Sequence, residues 1–482
     1  MRLVMKFGGT SVANGNNIKH VAQIVKNYKE NGHEIVVVTS ALQGVTDSLL
    51  EIANEASSMG KVSLVREFIA NLTTKHHEAA HIAIENESIM ENVITIIDTR
   101  IDELEKALIG ICYLGDLSAR SKDLISSYGE RLCAPILSGA LKSLGVNSES
   151  FTGGDIGIIT NEEFGNAKLH KSTYHKVSEK LTPILKDSIS VVTGFIAESE
   201  SGKVTTFGRG GSDYTASIIG SAINADEIWL WKEVDGIMTA DPKIVKEARS
   251  IPIISYVEAM ELSFFGAKVL HPRAIEPAIQ KGIPVRVKNT FEPEFEGTLI
   301  IKNEEKIKNI VKAVTVIEKV GLINVSGAGM IGTIGVAARV FKTLADAKVN
   351  IIMISQSSSE ADISMVVAED DIESAINSLN KEFKNGIVRE VSHDKEVCVI
   401  AVVGAGMTYT PGVAGRVFSA MGRENINVIM IGSPKLNISF VINRKDAKKA
   451  VNALHKEFEL EKNTDKPNPI LSHSRIKPAS TR

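Results

Sequence analysis

The sequence predicts an α/β protein: a mostly parallel, open sheet with helices on both faces, followed by two small α+β modules. Two observations support this fold class. Over the first 300 residues, short apolar segments alternate with amphipathic stretches, which is typical of strand–helix–strand units in a parallel sheet. After residue 310, the segment at 327–341 recurs at 404–418, an offset of 77 residues. The repeat indicates two copies of one small module.

Five buried strands are predicted in the first part of the chain. They cover residues 3–7, 34–39, 190–196, 227–231 and 284–288. Between the first two, apolar residues recur at helical spacing on one face. Residues 60–110 read as long helices, and we interpret them as a helical insertion that could cover a site. The first domain is predicted to span residues 1–305.

Each repeated segment follows an apolar strand and precedes a helix. Second strands are predicted at 349–355 and 426–431, and third strands at the Ile-Ser pairs 363–364 and 438–439. Strand–helix–strand–strand–helix is the ferredoxin-like plan. The two modules are therefore predicted at residues 315–392 and 396–460. Residues 462–482 hold three prolines among scattered charges, so a disordered tail is expected.

Composition narrows the class of protein. The formal net charge of −3 gives no long-range field that favours nucleic acid or an anionic membrane. The three cysteines lie far apart and cannot form a disulfide framework. No apolar run approaches the ~20 residues of a membrane helix, and residues 1–7 are too short for a signal peptide. We expect a cytoplasmic protein without a nucleic-acid or membrane partner.

Four short segments carry the residue types of a phosphate and carboxylate site. They are Lys-Phe-Gly-Gly-Thr-Ser at 6–11, Thr-Ser-Ala-Leu-Gln-Gly-Val-Thr at 39–46, Ser-Tyr-Gly-Glu-Arg at 127–131 and Phe-Gly-Arg-Gly-Gly-Ser-Asp-Tyr-Thr-Ala at 207–216. Glycines let backbone N–H groups approach a phosphate, and a glycine-rich loop at a helix N-terminus attracts anions. Each segment alone is also compatible with an ordinary turn.

Taken in order, these motifs resemble the aspartate kinase family within the amino-acid kinase superfamily. Phe-Gly-Ala-Lys-Val-Leu-His-Pro at 265–272 and Ile-Pro-Val-Arg-Val-Lys-Asn-Thr at 283–290 extend the resemblance, which covers roughly residues 2–458. The two C-terminal modules resemble ACT domains, which bind amino acids. The resemblance implies transfer of the γ-phosphoryl group of ATP to the side-chain carboxylate of L-aspartate. The product, 4-phospho-L-aspartate, begins lysine, threonine and methionine biosynthesis.

The implied chemistry agrees with the residues present. The accepting carboxylate is ionised near pH 7, because its unperturbed pKa is ~3.9, so no general base is needed. Catalysis then depends on positioning two anions and neutralising their charge. Two unit charges ~4 Å apart interact by ~4 kcal/mol at an effective dielectric of 20. Lys6, Arg209, Lys268 and Mg²⁺ are the expected cations.

The resemblance also implies roles for single residues. Lys6 and Asp213 are the expected catalytic pair, with Lys6 on the transferring phosphoryl group. The expected aspartate-binding residues are Ser40, Thr46, Glu130, Arg209 and Ser212, with Arg209 on the α-carboxylate and Glu130 on the α-ammonium group. The expected ATP-binding residues are Lys6, Gly8, Gly9, Ser11, Lys232, Glu233, Met238, Lys243 and Lys268, with Asp241 nearby. ATP is expected to carry the Mg²⁺, without assigned protein ligands.

One segment departs from the family pattern. Many members have Trp-Thr-Asp-Val-Asp-Gly followed by a tyrosine, whereas this chain has Trp-Lys-Glu-Val-Asp-Gly at 231–236 and Met238 at the aromatic position. Lys243 stands where arginine is frequent, which keeps the charge but loses the planar fork. The contacts to ribose and adenine are therefore left open.

The first module carries the expected effector site. By resemblance, the backbone at Met330, Ile331 and Gly332 binds the carboxylate of an amino acid, and Gln356 binds its side chain. The effector is expected to be threonine, with lysine as the second candidate. The second module lacks the glutamine and is expected only to pack. Paired ACT modules also imply a homodimer or a larger homo-oligomer.

Three alternatives stay open at this point. Gly-x-Gly-x-x-Gly at 327–332 matches a dinucleotide fingerprint, but the next strand does not end in an acid. His77 and His81 match the His-Glu-x-x-His pattern of a zinc hydrolase, with Glu103 or Glu105 as a third ligand. The third alternative is an inactive amino-acid sensor. The presence of Lys6, Arg209 and Asp213 argues against it.

Overall fold

The computed structural model describes residues 1–265, 270–302, 310–384, 386–407, 410–432 and 437–462. The chain divides into two compact units. The first contains Met1–Ile237, Pro252–Tyr256 and Lys268–Asn303, and the second contains Met238–Ile251, Val257–Ala267 and Glu304–Arg482.

Strands and helices alternate as far as residue 301. The strands are β1 (Arg2–Phe7), β2 (Glu34–Thr39), β3 (Ser148–Phe151), β4 (Ile159–Thr160), β5 (Ile189–Thr193), β6 (Ile196–Ser199), β7 (Val204–Thr206), β8 (Glu227–Lys232), β9 (Ile253–Ser255), β10 (Val285–Asn289) and β11 (Thr298–Ile301). The helices are α1 (Gly15–Glu30), α2 (Val45–Met59), α3 (Val62–Ala83), α4 (Glu87–Leu114), α5 (Ala119–Ser143), α6 (Thr173–Leu181), α7 (Gly211–Ile223), α8 (Tyr256–Phe264) and α9 (Glu276–Lys281).

One large sheet organises the first unit. Its eight strands follow the order β3-β5-β2-β1-β8-β10-β11-β9. Every neighbouring pair is parallel except β10 with β11, which is antiparallel. The predicted open, mostly parallel sheet is therefore confirmed. A second, three-stranded sheet has the order β4-β6-β7.

Helices cover both faces of the large sheet. Leu3, Met5 and Phe7 of β1 join a core that is shared with α1 to α5. The opposite face carries Ile228, whose side chain lies against Gly220 of α7. Successive side chains of a strand point to opposite faces, so α7 packs on the other side from α1 to α5. This arrangement confirms the predicted layers.

The strand expected at 190–196 is wrong in one respect. Strand β5 ends at Thr193, and β6 begins at Ile196 in the three-stranded sheet. Between them the chain bends at Gly194, where an added Cβ would lie 2.6 Å from Ser212 Cβ. The close approach of α7 requires glycine here. An apolar run with this bend cannot be distinguished from one straight strand by its hydrophobicity.

The helices expected over residues 60–110 are present as α3 and most of α4. They do not stand apart from the domain. Val65, Leu72, Leu104 and Leu108 are fully or almost fully buried in the same core as β1 and β2. The idea that this helical segment covers a site stays a prediction.

The second unit contains two antiparallel sheets. Its strands are β12 (Ala313–Ile317), β13 (Val320–Ser326), β14 (Ile351–Gln356), β15 (Asp362–Ala368), β16 (Glu390–Asp394), β17 (Val397–Val403), β18 (Met430–Gly432) and β19 (Asn437–Asn443). Its further helices are α10 (Val336–Asp346), α11 (Ile372–Glu382), α12 (Val413–Arg423) and α13 (Ala447–Glu457). The sheet orders are β14-β15-β13-β16 and β12-β17-β19-β18, so each module has four strands.

The pairing of β12 is the feature that sequence order conceals. It precedes the first module in the chain but pairs antiparallel with β17 of the second, with Ala313 opposite Val403. Strand β16 takes the equivalent edge position in the first module, beside β13. The predicted ferredoxin-like plan is present in both modules. The boundaries 1–305, 315–392 and 396–460 stay predictions, and β12 is an addition to the second module.

Two other expectations concern the C-terminal part and the membrane. Strand β18 covers three residues, whereas a strand was expected from 426 to 431. The predicted tail lies outside the described residues apart from Lys462. Within the described part of the chain, no helix combines the length and apolarity needed to cross a membrane. The cytoplasmic location stays a prediction.

Candidate active site

Five neighbouring parallel strands of the large sheet end at one edge. In spatial order they are β5, β2, β1, β8 and β10. Lys6 lies one residue before the end of β1, Ser40 directly follows β2, and Lys232 ends β8. The carboxyl edge of a parallel sheet is where open α/β folds bind ligands. Three segments that are distant in sequence therefore meet at a single edge.

One buried carboxylate lies between two lysines at this edge. Asp213 is in the first turn of α7, and its Oδ1 lies 2.6 Å from Lys6 Nζ. Its Oδ2 accepts a hydrogen bond from Lys232 Nζ at 2.9 Å. The side chains of Lys6 and Asp213 are almost completely buried. Two positive charges and one negative charge leave this cluster with one net positive charge.

Burial and charge oppose each other in this cluster. Burial lowers the pKa of Lys6 to about 8, with repulsion from Lys232 in the same direction and attraction to Asp213 against it. Burial alone would raise the pKa of Asp213. Attraction to Lys232 and Lys6 outweighs burial and holds the pKa of Asp213 well below its ordinary value. Asp213 is therefore ionised at neutral pH, and Lys6 stays mostly protonated there.

Glu130 brings a second buried carboxyl group to the same edge. It lies on α5, and its Oε2 has no hydrogen-bond partner among the described residues. Burial raises its pKa to about 8, while the backbone amides of Glu130 and Ala41 and the charge of Lys6 act in the opposite direction. An unpaired acceptor in an apolar setting is costly. The position fits a carboxyl group that ionises when a cationic ligand group binds beside it.

Hydroxyl groups line the space between these charges. Ser40 Oγ donates to Ser212 Oγ at 3.1 Å, which links the end of β2 to the first turn of α7. Thr46 lies beside Gly129 of α5, since a Cβ added at Gly129 would lie 3.4 Å from Thr46 Oγ1. A Cβ added at Gly8 would lie 3.6 Å from Lys6 Nζ. Gly8 therefore leaves the ammonium group open on one side.

Arg209 extends from a loop of glycines. Gly208 and Gly210 have φ angles of 73° and 78°, in the left-handed region that favours glycine. Arg209 between them is exposed. Gly210 caps α7, and an added Cβ there would lie 2.8 Å from His271 Cβ. The loop therefore presents a guanidinium group next to a helix N-terminus, where backbone N–H groups attract anions.

Other predicted nucleotide contacts have different positions. Ser11 Oγ is buried and lies 2.6 Å from Thr290 Oγ1, so its hydroxyl joins the loop after β1 to the residue that follows β10. Glu233 is exposed directly after β8. Gly9 adjoins the Ala41 carbonyl, 3.4 Å from an added Cβ. Met238 and Lys243 belong to the second unit, and Lys268 lies outside the described residues. These assignments stay predictions.

The motifs did not reveal Asp123. This buried residue of α5 accepts hydrogen bonds from Gly165 N and Thr206 N, both at 2.9 Å, and from Thr206 Oγ1 at 2.9 Å. It lies outside every glycine-rich segment and is one of many acidic residues on the predicted helices. Its only sequence signal is its spacing of seven residues from Glu130, which places both on one helix face.

In the zinc pattern on α3, His77 and both candidate third ligands contact other side chains. His77 Nε2 lies 2.6 Å from Asp98 Oδ1. The proposed third ligands pair elsewhere, Glu103 with Arg131 at 3.3 Å and Glu105 with Arg66 at 3.8 Å. Within the described ranges, no group of three or more histidine, cysteine or acidic side chains could hold a metal ion. The pattern thus has the contacts of a charged helix surface.

The first small module contains a cleft at the predicted effector position. The cleft has a volume of about 320 Å³, and Met330, Gly332 and Gln356 contribute to its wall. Gly332 N donates to Glu360 Oε2 at 3.1 Å, so a carboxylate already occupies the backbone donor that was assigned to an effector. Ile331, in contrast, is 56% exposed.

Comparison with known proteins agrees with this architecture. Residues 1–289 match the amino acid kinase family, and residues 323–383 and 400–458 match the ACT domain. Chloroplastic aspartokinase 1 of Arabidopsis thaliana is 33% identical over an alignment of 474 residues, and the alignment covers 94% of this chain and 80% of the relative.

Two solved structures of E. coli aspartokinase III share the fold. The complex with aspartate and ADP, in the R-state, has a TM-score of 0.76 and 26% identity, over 95% of this chain and 99% of the neighbour. The complex with lysine and aspartate, in the T-state, has a TM-score of 0.79 at the same identity and coverage. The likeness extends through both the sheet and the small modules.

Because Asp213 lies between two lysines, we expect even its conservative replacement by asparagine to lower the stability of the protein strongly. Asp213→Asn should destabilise the protein by about 3–5 kcal/mol, because it leaves two neighbouring lysine charges uncompensated. Denaturant unfolding at neutral pH measures this cost. Asp102→Asn is the matched control, since it breaks an exposed pair with Lys106 and should cost less than about 1 kcal/mol. Equal losses in the two variants would contradict the buried-charge account.

Proposed function

Because this chain belongs to the aspartate kinase family, we propose that it transfers the γ-phosphoryl group of ATP to the side-chain carboxylate of L-aspartate, giving 4-phospho-L-aspartate. The observation that carries the proposal is the buried cluster of Lys6, Asp213 and Lys232 at the carboxyl edge of the sheet. Its net positive charge suits a reaction in which two anions approach each other. The E. coli neighbour in complex with aspartate and ADP supports this pair of ligands.

The charges suggest how aspartate is held. Arg209 would bind the α-carboxylate through its planar fork. Glu130 would accept a hydrogen bond from the α-ammonium group. The positive charge of this group would stabilise the ionised form of the buried carboxyl group, whose Oε2 has no hydrogen-bond partner among the described residues. Ser40, Ser212 and Thr46 would hydrogen-bond the substrate from the two adjoining segments. The side-chain carboxylate is then directed toward Lys6.

Phosphoryl transfer would depend on the lysines. Lys6 would stabilise the charge of the transferring group, and Asp213 would hold Lys6 and Lys232 in place. Gly8 and Gly9 leave room for the phosphates, and Lys232 adds a second cation beside them. Ser11, Glu233, Met238, Lys243 and Lys268 stay in the proposal as nucleotide contacts.

Mg²⁺ is proposed as the accompanying metal. Both oxygens of Asp213 already face lysine ammonium groups, so this carboxylate suits charge organisation better than metal ligation. The phosphates of ATP would hold the ion, which would neutralise part of their charge when bound. The protein residues are left to orient the two substrates and to exclude water.

Feedback control is proposed at the cleft of the first small module. The effector's carboxylate would replace Glu360 at Gly332 N, with Met330 and Ile331 beside it, and Gln356 would meet the effector side chain. Threonine is the first candidate. Lysine is the second candidate. Glu360 is an argument for lysine, because the Glu360 carboxylate, once displaced from Gly332 N, could pair with the side-chain ammonium group of lysine. The E. coli neighbour bound to lysine supports an amino-acid effector of this kind.

Assembly and metabolic role complete the proposal. Paired ACT modules favour a homodimer or a larger homo-oligomer. The phosphorylated product would enter lysine, threonine and methionine biosynthesis. Gel filtration with light scattering measures the oligomeric state directly.

The decisive experiment measures acyl-phosphate formation trapped by hydroxylamine, with ATP and Mg²⁺. Aspartate, glutamate and acetylglutamate are compared as acceptors, and threonine or lysine is then added. Product with aspartate alone, suppressed by one of the two amino acids, supports the enzyme and its control together. No product with any acceptor would sink the kinase proposal and leave an amino-acid sensor.

Arg209 should control aspartate binding. Arg209→Ala should raise the KM for aspartate and lower kcat/KM about 100-fold, because the substrate loses a bidentate carboxylate contact. Arg209→Lys should recover part of the loss, since it restores charge without the fork. Arg66→Ala, at an exposed pair with Glu105, serves as the control. Steady-state kinetics that match the wild type in Arg209→Ala would remove Arg209 from the site.

Glu130 should impose a pH dependence. Its pKa is raised to about 8 by burial, so the carboxylate gains its charge, and its attraction for an ammonium group, as pH rises through that value. The phosphates of saturating ATP should keep Lys6 charged over this range, since a nearby opposite charge favours the ionised form. The kcat/KM for aspartate should therefore increase between about pH 6.5 and pH 8.5. The kcat profile should lie at lower pH, because bound ammonium favours the ionised form. Glu130→Gln should abolish this rise; its persistence there would assign it to another group.

Gln356 should govern inhibition without affecting the chemistry. Gln356→Ala should raise the half-inhibiting concentration of the effector by about tenfold or more and leave kcat within about twofold, because the loss is confined to one binding contact. Glu360→Ala should do the opposite and lower that concentration, since it frees Gly332 N. Dose–response curves with threonine and lysine measure both effects. Unaltered inhibition in both variants would place the effector elsewhere.

A further inference from the structure

A single carboxylate joins the two halves of the proposed aspartate site. Asp123 of α5 is 3% exposed. Its Oδ2 accepts from Gly165 N and from Thr206 N, each at 2.9 Å, and its Oδ1 accepts from Thr206 Oγ1 at 2.9 Å. All three donors belong to segments that are far from α5 in sequence. The contacts therefore fix tertiary structure and have no role in the helix itself.

Both segments that Asp123 contacts lie at the loop of residues 208–210, here called the Arg209 loop. Thr206 ends β7, and the loop begins within two residues of it. Gly165 packs against the loop itself, because a Cβ added at Gly208 would lie 2.6 Å from Gly165 O. The two segments are also joined to each other by a hydrogen bond from Ala167 N to Thr206 O at 3.0 Å. Removing the carboxylate would loosen both supports of the loop together.

The same helix carries the other proposed substrate group. Glu130 follows Asp123 by seven residues, which is about two turns and about 10 Å along the axis on the same face. A rigid helix thus connects the group for the α-ammonium to the anchor of the loop for the α-carboxylate. The distance between Glu130 and Arg209 must match the separation of the ammonium and carboxylate groups of one small amino acid.

The burial of Asp123 has an energetic cost that packing alone would not require. Burial raises the pKa of this carboxyl group, and the hydrogen bonds from Gly165 and Thr206 lower it only in part. An apolar side chain of similar volume would avoid the cost of desolvation. A carboxylate can, however, accept from three donors in a fixed geometry.

We propose that Asp123 is a positioning residue that sets the place of the Arg209 loop relative to Glu130, and thereby the fit of the site to aspartate. The proposal rests on the function proposed above. Asp123 acts through the loop and does not touch the substrate.

The test compares four variants by kcat, by both KM values and by thermal unfolding. Asp123→Ala should raise the KM for aspartate by about tenfold or more, because displacement by about 1 Å is enough for such a loss, and change the KM for ATP by less than about twofold. Asp123→Asn should stay within about threefold of the wild type. Its amide oxygen can accept both backbone N–H groups, and its amide nitrogen can donate to Thr206 Oγ1. Rescue by the amide separates positioning from a need for charge.

Two further variants keep the test decisive. Thr206→Val removes only the contact to Oδ1 and should raise the KM for aspartate by about threefold, so it carries the test even where Asp123→Ala fails to fold. Ser138→Ala is the matched control on α5, since it breaks a buried contact with Ser148 at 3.1 Å away from the loop. It should lower the melting temperature and leave both KM values unchanged.

The outcomes separate the two proposals. An inactive wild-type protein would refute the kinase function itself. An active wild type, with Asp123→Ala and Thr206→Val showing lower stability but unchanged KM for aspartate, would overturn the positioning role. Equal increases in both KM values would overturn it as well, because the loop would then not act selectively on aspartate.

Discussion

The first unit depends on the placement of one negative charge between two positive ones. Lys6 and Lys232 lie near the ends of neighbouring strands, and without Asp213 their ammonium groups would repel each other strongly at this buried edge. Asp213 is delivered by the first turn of α7. The helix must therefore begin at this point of the sheet. The close approach of Gly194 to Ser212 and the left-handed cap at Gly210 both satisfy that requirement.

The remaining parts of the site are held by elements that approach from the other face. Helix α5 packs in the core with α1 to α4, yet it presents Glu130 toward the strand ends and Asp123 toward the Arg209 loop. A loop with glycines on both sides of Arg209 has little stiffness of its own. Its precision has to come from contacts outside the loop. Hydrogen bonds to a buried carboxylate on a long helix supply this rigidity.

The second unit shows how a repeat in sequence can differ from a repeat in space. The two modules share one plan, but β12 precedes the first module and closes the sheet of the second. The second module is therefore discontinuous in sequence, because the whole first module lies between β12 and β17. The cleft near Gly332 has its own internal ligand in Glu360. A small effector would compete with this side chain, which makes occupancy of the cleft a balance between two carboxylates.

The sequence by itself determined the fold class, the repeated modules and the motifs at the strand ends, because these depend on local periodicity and on glycines at short range. It also predicted that Lys6, Glu130, Arg209 and Asp213 belong to one site. Only the tertiary structure decided that Lys232 shares Asp213, that Ser11 faces Thr290, and that Asp123 accepts a hydrogen bond from Thr206. It alone decided the partner of β12. These facts depend on pairs of residues far apart in the chain, and hydrophobic spacing carries no information about such pairs.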